Sequence, residues 1–214
     1  MIFDQQTAVK TASYLLQINA IKLNPENPFS WASGLKAPIY CDNRVTLSYP
    51  EIRSYICDQL SLQAKAIYRN DKFIIAGVAT GAIGIGMLVA QKLDLPFIYV
   101  RPEPKKHGRK NQIEGYMPSN SKVVVIEDLI STGKSSLIAV EALRNQGANV
   151  IGMLGLFTYG LKVADDNFKK SKVKLNTLSN YDILINEASN LKIIDSNLLN
   201  KLSDWRKSPN DWSI

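Results

Sequence analysis

Residues 123–136 read VVVIEDLISTGKSS: four consecutive β-branched apolar side chains, then two acids, then a turn of small and hydroxylic residues that opens a helix. Val123, Val124, Val125 and Ile126 show no polar alternation, which is the pattern of a strand covered on both faces, so a central position in a parallel sheet is expected. From Ser131 to Ser135 the small side chains let backbone N–H groups approach a phosphate, and a helix starting near Gly133 aims its positive dipole end at the same point. Glu127 and Asp128 repel a phosphate. Beside a phosphate nest they suit hydroxyls on the same ligand, so the string fits a ribose 5-phosphate whose ring hydroxyls donate to the acids. The tail Gly133, Lys134, Ser135 resembles the end of a Walker loop, but that motif needs glycine where this chain has Asp128. Acids that merely cap a helix are the plainer alternative, and the whole string is too particular for it.

The 214-residue chain is long enough for one α/β domain, and a single domain over residues 1–214 is expected, with a small appendage within it. Its 45% hydrophobic and 21% charged residues are those of a soluble globular protein. Cys41 and Cys57 sit in no metal-ligand spacing and frame no disulfide, and the N-terminus lacks a basic region followed by an apolar core, so the cytoplasm is the expected location. Residues 73–91 carry no charge, yet Gly77, Gly81, Gly84 and Gly86 divide them into strand, loop and amphipathic helix rather than a membrane span. Lys and Arg outnumber Asp and Glu by 26 to 19, and Arg101, Lys105, Lys106, Arg109 and Lys110 crowd one segment. No aromatic residues interleave with them as base stacking would require, so the expected partner is a small polyanion, with no nucleic acid and no membrane.

Around the opening string, residues 73–76, 97–101, 123–126 and 150–157 read as strands, with helices over 83–92 and 133–146 between them. That alternation predicts a parallel, helix-covered sheet, and the glycine loop, Arg101 and the two acids all fall at carboxyl ends of strands, where such sheets bind ligands. A first helix is expected over 4–19, with Asp4 as N-cap and Val9, Ala12, Leu15, Leu16 and Ile18 on its buried side. Residues 29–44 read as a hairpin or small sheet, and Pro50 starts a helix running to about Tyr68. Beyond Leu161 two or three helices are expected, capped by Ser179 or Asn180 and by Asp195 or Ser196, with Trp205 and Trp212 as packing anchors. Residues 101–115 read as a long exposed loop suited to a lid, in which Lys105 can stabilise charge on a departing diphosphate and His107 can bind phosphate or supply a proton.

Residues 29–44, 77–86 (GVATGAIGIG), 101–115 and 127–135 (EDLISTGKS), in this order and spacing, resemble the orotate-using branch of the type I phosphoribosyltransferases across nearly the whole chain. The resemblance implies the fold of that family, α/β with a central parallel sheet flanked by helices and a small N-terminal hood over about residues 1–45. It implies a pentosyltransferase acting on 5-phosphoribosyl 1-diphosphate and orotate in pyrimidine nucleotide synthesis. It also implies Mg²⁺ held by substrate oxygens and water, and a homodimer whose lid loop enters the neighbouring subunit's site. Carried over position by position, Arg101, Lys105 and His107 would bind the diphosphate from across the dimer. Glu127, Asp128, Leu129, Ile130, Ser131, Thr132, Gly133, Lys134 and Ser135 would hold the ribose 5-phosphate, with Lys105 and Asp128 in the chemical step. Ser131 would also touch orotate, and Tyr40 would border the pyrimidine. Better-known relatives of the enterobacterial type carry lysine where this chain has Ala32, Gly81 and Pro102, and a base-clamping arginine near the place of Tyr159 and Gly160. Recognition of orotate's carboxylate is therefore left to hood residues such as Lys36 or Arg44, or to backbone N–H groups. A purine-using transferase and a phosphoribosyl-diphosphate sensor that regulates nucleic acid are the alternatives.

Overall fold

The computed structural model describes residues 1–31, 34–103, 112–209 and 212. Asp4 caps α1 (Gln5–Gln17) by accepting from the Thr7 amide at 2.7 Å, which satisfies one of the free donors at the helix start. Ala8, Ala12, Leu15 and Leu16 face the core, whereas Val9, expected there, is only half-buried at the margin of the apolar stripe. Two antiparallel ribbons follow, β1 (Ile21–Leu23) with β4 (Ile39–Cys41) and β2 (Phe29–Ser30) with β3 (Lys36–Ala37). Pro38, which has no N–H to donate, separates β3 from β4. A 3₁₀ segment (Asn43–Ser48) leads into α2 (Pro50–Tyr68), where Pro50 holds the first helical position and Ile52, Ile56 and Leu60 are buried.

The rest of the chain alternates. In order come β5 (Ile74–Val78), α3 (Gly81–Leu93), β6 (Phe97–Val100), β7 (Ile113–Glu114), β8 (Lys122–Ile130), α4 (Lys134–Asn145), β9 (Asn149–Thr158), α5 (Lys162–Lys170), β10 (Leu175–Asn180), α6 (Tyr181–Asn190) and α7 (Ser196–Lys207). The strands form one sheet in the order β10-β9-β8-β5-β6-β7, parallel throughout except for β7 at the edge. β7 corrects the reading of 101–115 as loop throughout: Tyr99 pairs with Glu114 and Val100 with Ile113, whose side chain is buried. A strand of two residues is too short to leave a periodic signal.

Successive residues of β8 feed opposite cores, as a period of two requires. Val124 and Ile126 join Leu15, Ile56, Ile75 and Tyr181 on one face, while Val123 and Val125 join Leu143, Met153 and Phe168 on the other. Asn180 caps α6 by accepting from the Ile183 amide at 3.0 Å, Ser179 instead donates to Ala8 O, and Asp195 precedes α7 without a capping bond. Trp205 of α7 is fully buried among Trp31, Tyr159 and Tyr181, and its Nε1 donates to Lys36 O at 3.3 Å. That bond ties the last helix to the N-terminal ribbons, and Trp212 packs against the same core. Among the described residues no helix is long and apolar enough to cross a membrane.

Candidate active site

β8 continues past the strand expected at 123–126 because β9 goes on pairing with it: Glu127 with Gly155, Leu129 with Phe157 and Ile130 with Thr158. On the other side β5 stops pairing at Gly77 and Ile126. From Glu127 onward one edge of β8 is thus open to other groups. Asn43 occupies it, 2% exposed, with Nδ2 donating to Asp128 O at 2.6 Å. The base of the N-terminal ribbons is thereby fastened to the end of the central strand.

The Cα–Cβ bonds of Glu127 and Asp128 leave opposite faces of β8. Glu127 is 4% exposed, its Oε2 accepting from Ser136 Oγ at 2.7 Å and its Oε1 from the Asp128 amide at 3.1 Å. Burial first, and then the neighbouring Asp128 charge, push its carboxyl well above the usual carboxylate range. Asp128 faces the start of α3, where a Cβ on Gly81 would collide with its carboxyl group. Glycine at position 81 therefore leaves room for that carboxylate.

The turn after β8 is held from α5. Asn167 Nδ2 donates to Thr132 O at 3.0 Å, and Gly133, at φ +75°, lies against Phe168, whose Cε2 would stand 2.6 Å from an added Cβ. Positive φ and close contact both require glycine. The Lys134 amide turns to Thr132 Oγ1 at 3.4 Å, while the amides of Thr132, Gly133 and Ser135 have no acceptor among the described residues. With the first turn of α4 they form a ready anion seat.

These parts enclose a cavity of about 440 Å³ lined by residues 41–44, 78–81, 127–129 and 131–135. Glu127, Asp128, Leu129, Ser131, Thr132, Gly133, Lys134 and Ser135 are all in that lining. Ile130 is not: its side chain is fully buried in the core and its carbonyl accepts from the Tyr159 amide at 3.0 Å. Tyr40 lies outside the lining, 44% exposed, with its ring 5.7 Å from that of Phe29. Arg101, paired with Glu114 at 3.7 Å, is likewise outside it, and Lys105 and His107 lie outside the described residues. Arg44 does line the cavity, but Asp42 holds its guanidinium at 2.7 and 2.8 Å.

Residues 78–81 and 41–43 line the cavity without having been assigned a role from sequence. The glycine loop after β5 was a visible signal for the first group. Asn43 left none, since it acts on a residue 85 positions away. The Cys41 thiol donates to Asn43 Oδ1 at 3.1 Å, and burial, followed by the charges of Asp128 and Asp42, pushes it well above the usual thiol range. A thiol shifted in that direction is a poorer nucleophile than a free one.

The family model for the phosphoribosyl transferase domain matches residues 51–188. The orotate phosphoribosyltransferase of Porphyromonas gingivalis is 56% identical over 203 residues, which cover 95% of this chain and 96% of the relative. That of Cytophaga hutchinsonii is 52% identical, over 95% of this chain and 97% of its own. Among solved structures, orotate phosphoribosyltransferase from Aeropyrum pernix matches with a TM-score of 0.72 at 30% identity, covering 86% of this chain and 98% of that one. Matched over nearly its full length by enzymes of one kind, and built on the same sheet with an anion seat at the end of its central strand, the chain belongs to the orotate phosphoribosyltransferase family.

Proposed function

We propose that the protein transfers the ribose 5-phosphate group from 5-phosphoribosyl 1-diphosphate to N1 of orotate, giving orotidine 5-phosphate and diphosphate in pyrimidine nucleotide synthesis. One observation carries the reading: at the end of β8 the free amides of Thr132, Gly133 and Ser135 share a cavity of about 440 Å³ with the Asp128 carboxylate. The amides and the first turn of α4 seat the 5-phosphate, and Asp128 accepts from the ribose hydroxyls. The bond from C1 to the diphosphate oxygen breaks, its electron pair leaving with diphosphate, and the lone pair of orotate N1 forms the new bond to C1 as the N1 proton passes to the departing diphosphate or to water. Positive charge builds on the sugar ring in between, where a carboxylate one hydroxyl away stabilises it. Positioning and exclusion of water supply most of the acceleration in such a step, and no protein nucleophile is needed.

Among the described residues no group of three acids, histidines or cysteines forms a metal cage. The donors present fit Mg²⁺ arriving with the substrate, held by diphosphate oxygens, ribose hydroxyls and water, with Asp128 lining the cavity to accept from those hydroxyls. When bound, the ion would neutralise charge on the departing diphosphate. The cationic run within 101–115 and the family resemblance support a homodimer in which Arg101, Lys105 and His107 of one subunit serve the diphosphate of the other. Ser131, at the cavity wall, would touch orotate, with Tyr40 at the hood's edge bordering the ring.

The test is diphosphate release with 5-phosphoribosyl 1-diphosphate, Mg²⁺ and, in turn, orotate, uracil, adenine and hypoxanthine. Release with orotate is expected. Release with a purine instead, or with no base at all, overturns the assignment.

A further inference from the structure

A second cavity, of about 850 Å³, shares Ser131 and Thr132 with the first and is walled on its other sides by Trp31, Leu35, Lys162 and Arg206. Ser131, proposed above to touch orotate, lies in both linings, so a ring seated in this cavity would adjoin the sugar-phosphate site. Its aromatic and aliphatic walls with cations among them suit a flat, anionic heterocycle.

Arg206 is the cation whose geometry is fixed. Trp205, next to it in the chain, is fully buried against Trp31, Tyr159 and Tyr181, which sets where α7 presents the following side chain. The guanidinium is hydrogen-bonded on one side, Nη1 donating to Gly160 O at 3.2 Å, and on the other its Nε lies 3.0 Å from Asp182 Oδ1 as an ion pair without hydrogen-bond geometry. Nη2 has no partner among the described residues. A planar fork anchored this way offers its remaining N–H groups to a carboxylate at little further entropic cost. The two hood cations expected for that task, Arg44 and Lys36, do not line this cavity; Arg44 is paired with Asp42, and Lys36 donates to Ser30 Oγ at 2.7 Å.

We propose that Arg206 recognises the carboxylate of orotate in this second cavity and sets the enzyme's preference for orotate over bases that lack the group. The inference rests on the transferase reading above. It places the specificity cation on the C-terminal helix, reaching Gly160 from across the fold, instead of on the strand end that bears Tyr159 and Gly160.

The test compares Arg206→Ala, Arg206→Lys and Asp182→Asn in steady-state kinetics, with orotate and uracil binding measured alongside. Loss of a charge-assisted contact predicts a rise of about ten- to a hundredfold in KM for orotate with Arg206→Ala, while KM for 5-phosphoribosyl 1-diphosphate stays within about twofold. Uracil, which has no carboxylate, should bind the variant as it binds the parent. Arg206→Lys, a point charge without the fork, should recover part of the loss. Asp182→Asn breaks the same ion pair but keeps the guanidinium and its bond to Gly160 O, so it should raise KM for orotate by clearly less than Arg206→Ala does. Unchanged orotate KM in Arg206→Ala, or equal losses in Arg206→Ala and Asp182→Asn, overturns the proposal while the transferase reading stands. A parent enzyme with no orotate-dependent release of diphosphate overturns both.

Discussion

Gly81→Ala is the substitution that most directly separates fold from chemistry here. Gly81 is the first residue of α3 and is not among the glycines held at positive φ, so alanine meets no backbone strain. Helix propensity favours it by up to about 1 kcal/mol, less at a first turn. What the new Cβ meets is the Asp128 carboxyl group, with all three of its heavy atoms closer than 3 Å, including Oδ1 at 2.6 Å. Restoring an ordinary contact of about 3.5 Å moves the carboxylate by roughly 1 Å, which costs little in stability because a side chain end can rotate away. A displacement of that size at a reacting centre lowers rate by about a hundredfold, or roughly 2.7 kcal/mol in kcat/KM. The prediction is a hundredfold loss in kcat/KM for 5-phosphoribosyl 1-diphosphate with a Tm within about 4 °C of the parent. Initial rates of diphosphate release and a circular-dichroism melt measure both. In an Asp128→Ala background the same change should cost almost nothing, because the Cβ then meets no carboxyl group. A kcat/KM within about threefold of the parent, or equal losses in both backgrounds, would refute the reasoning.

Glu127 carries a pH prediction. Its pKa is raised in the fold by burial and by Asp128, so ionising it opposes folding, and its contribution is complete below the ordinary carboxylate pKa and lost as pH rises through the raised value. Thermal melts should show Glu127→Gln gaining on the parent as pH climbs from 5 toward 9, in roughly the window above the ordinary carboxylate pKa; a constant difference in Tm would contradict this. Gly133→Ala should destabilise by about 2–5 kcal/mol in urea unfolding, from positive φ (about 1–2) and crowding of Phe168 (about 1–3), and by clearly less in a Phe168→Leu background. An equal cost in both backgrounds would remove Phe168 from the account. Lys105→Ala should lower kcat far more than substrate affinity, as expected of a group acting on charge that develops late, and an unchanged kcat takes the lysine out of the chemistry.

Much of this architecture is local and therefore written in the chain. The unbroken apolar run of 123–126, the Pro50 and Asp4 helix starts, and the glycine at position 133 each follow from the conformational preferences of a few adjacent residues, and the alternation of strands and helices then leaves a parallel sheet as the economical arrangement. The rim that carries the candidate site follows from the same local order, since it lies where the strands end. The central strand's true end was not readable, because acids at 127 and 128 look like a stop until β9 is seen pairing beyond them. Asn43 capping Asp128, Gly81 making way for its carboxylate and Arg206 reaching Gly160 join residues 85, 47 and 46 positions apart. No periodicity encodes such contacts. They are decided when the two cores close on the sheet and Trp205 locks α7 to the hood, since only packing brings side chains from distant segments within bonding distance.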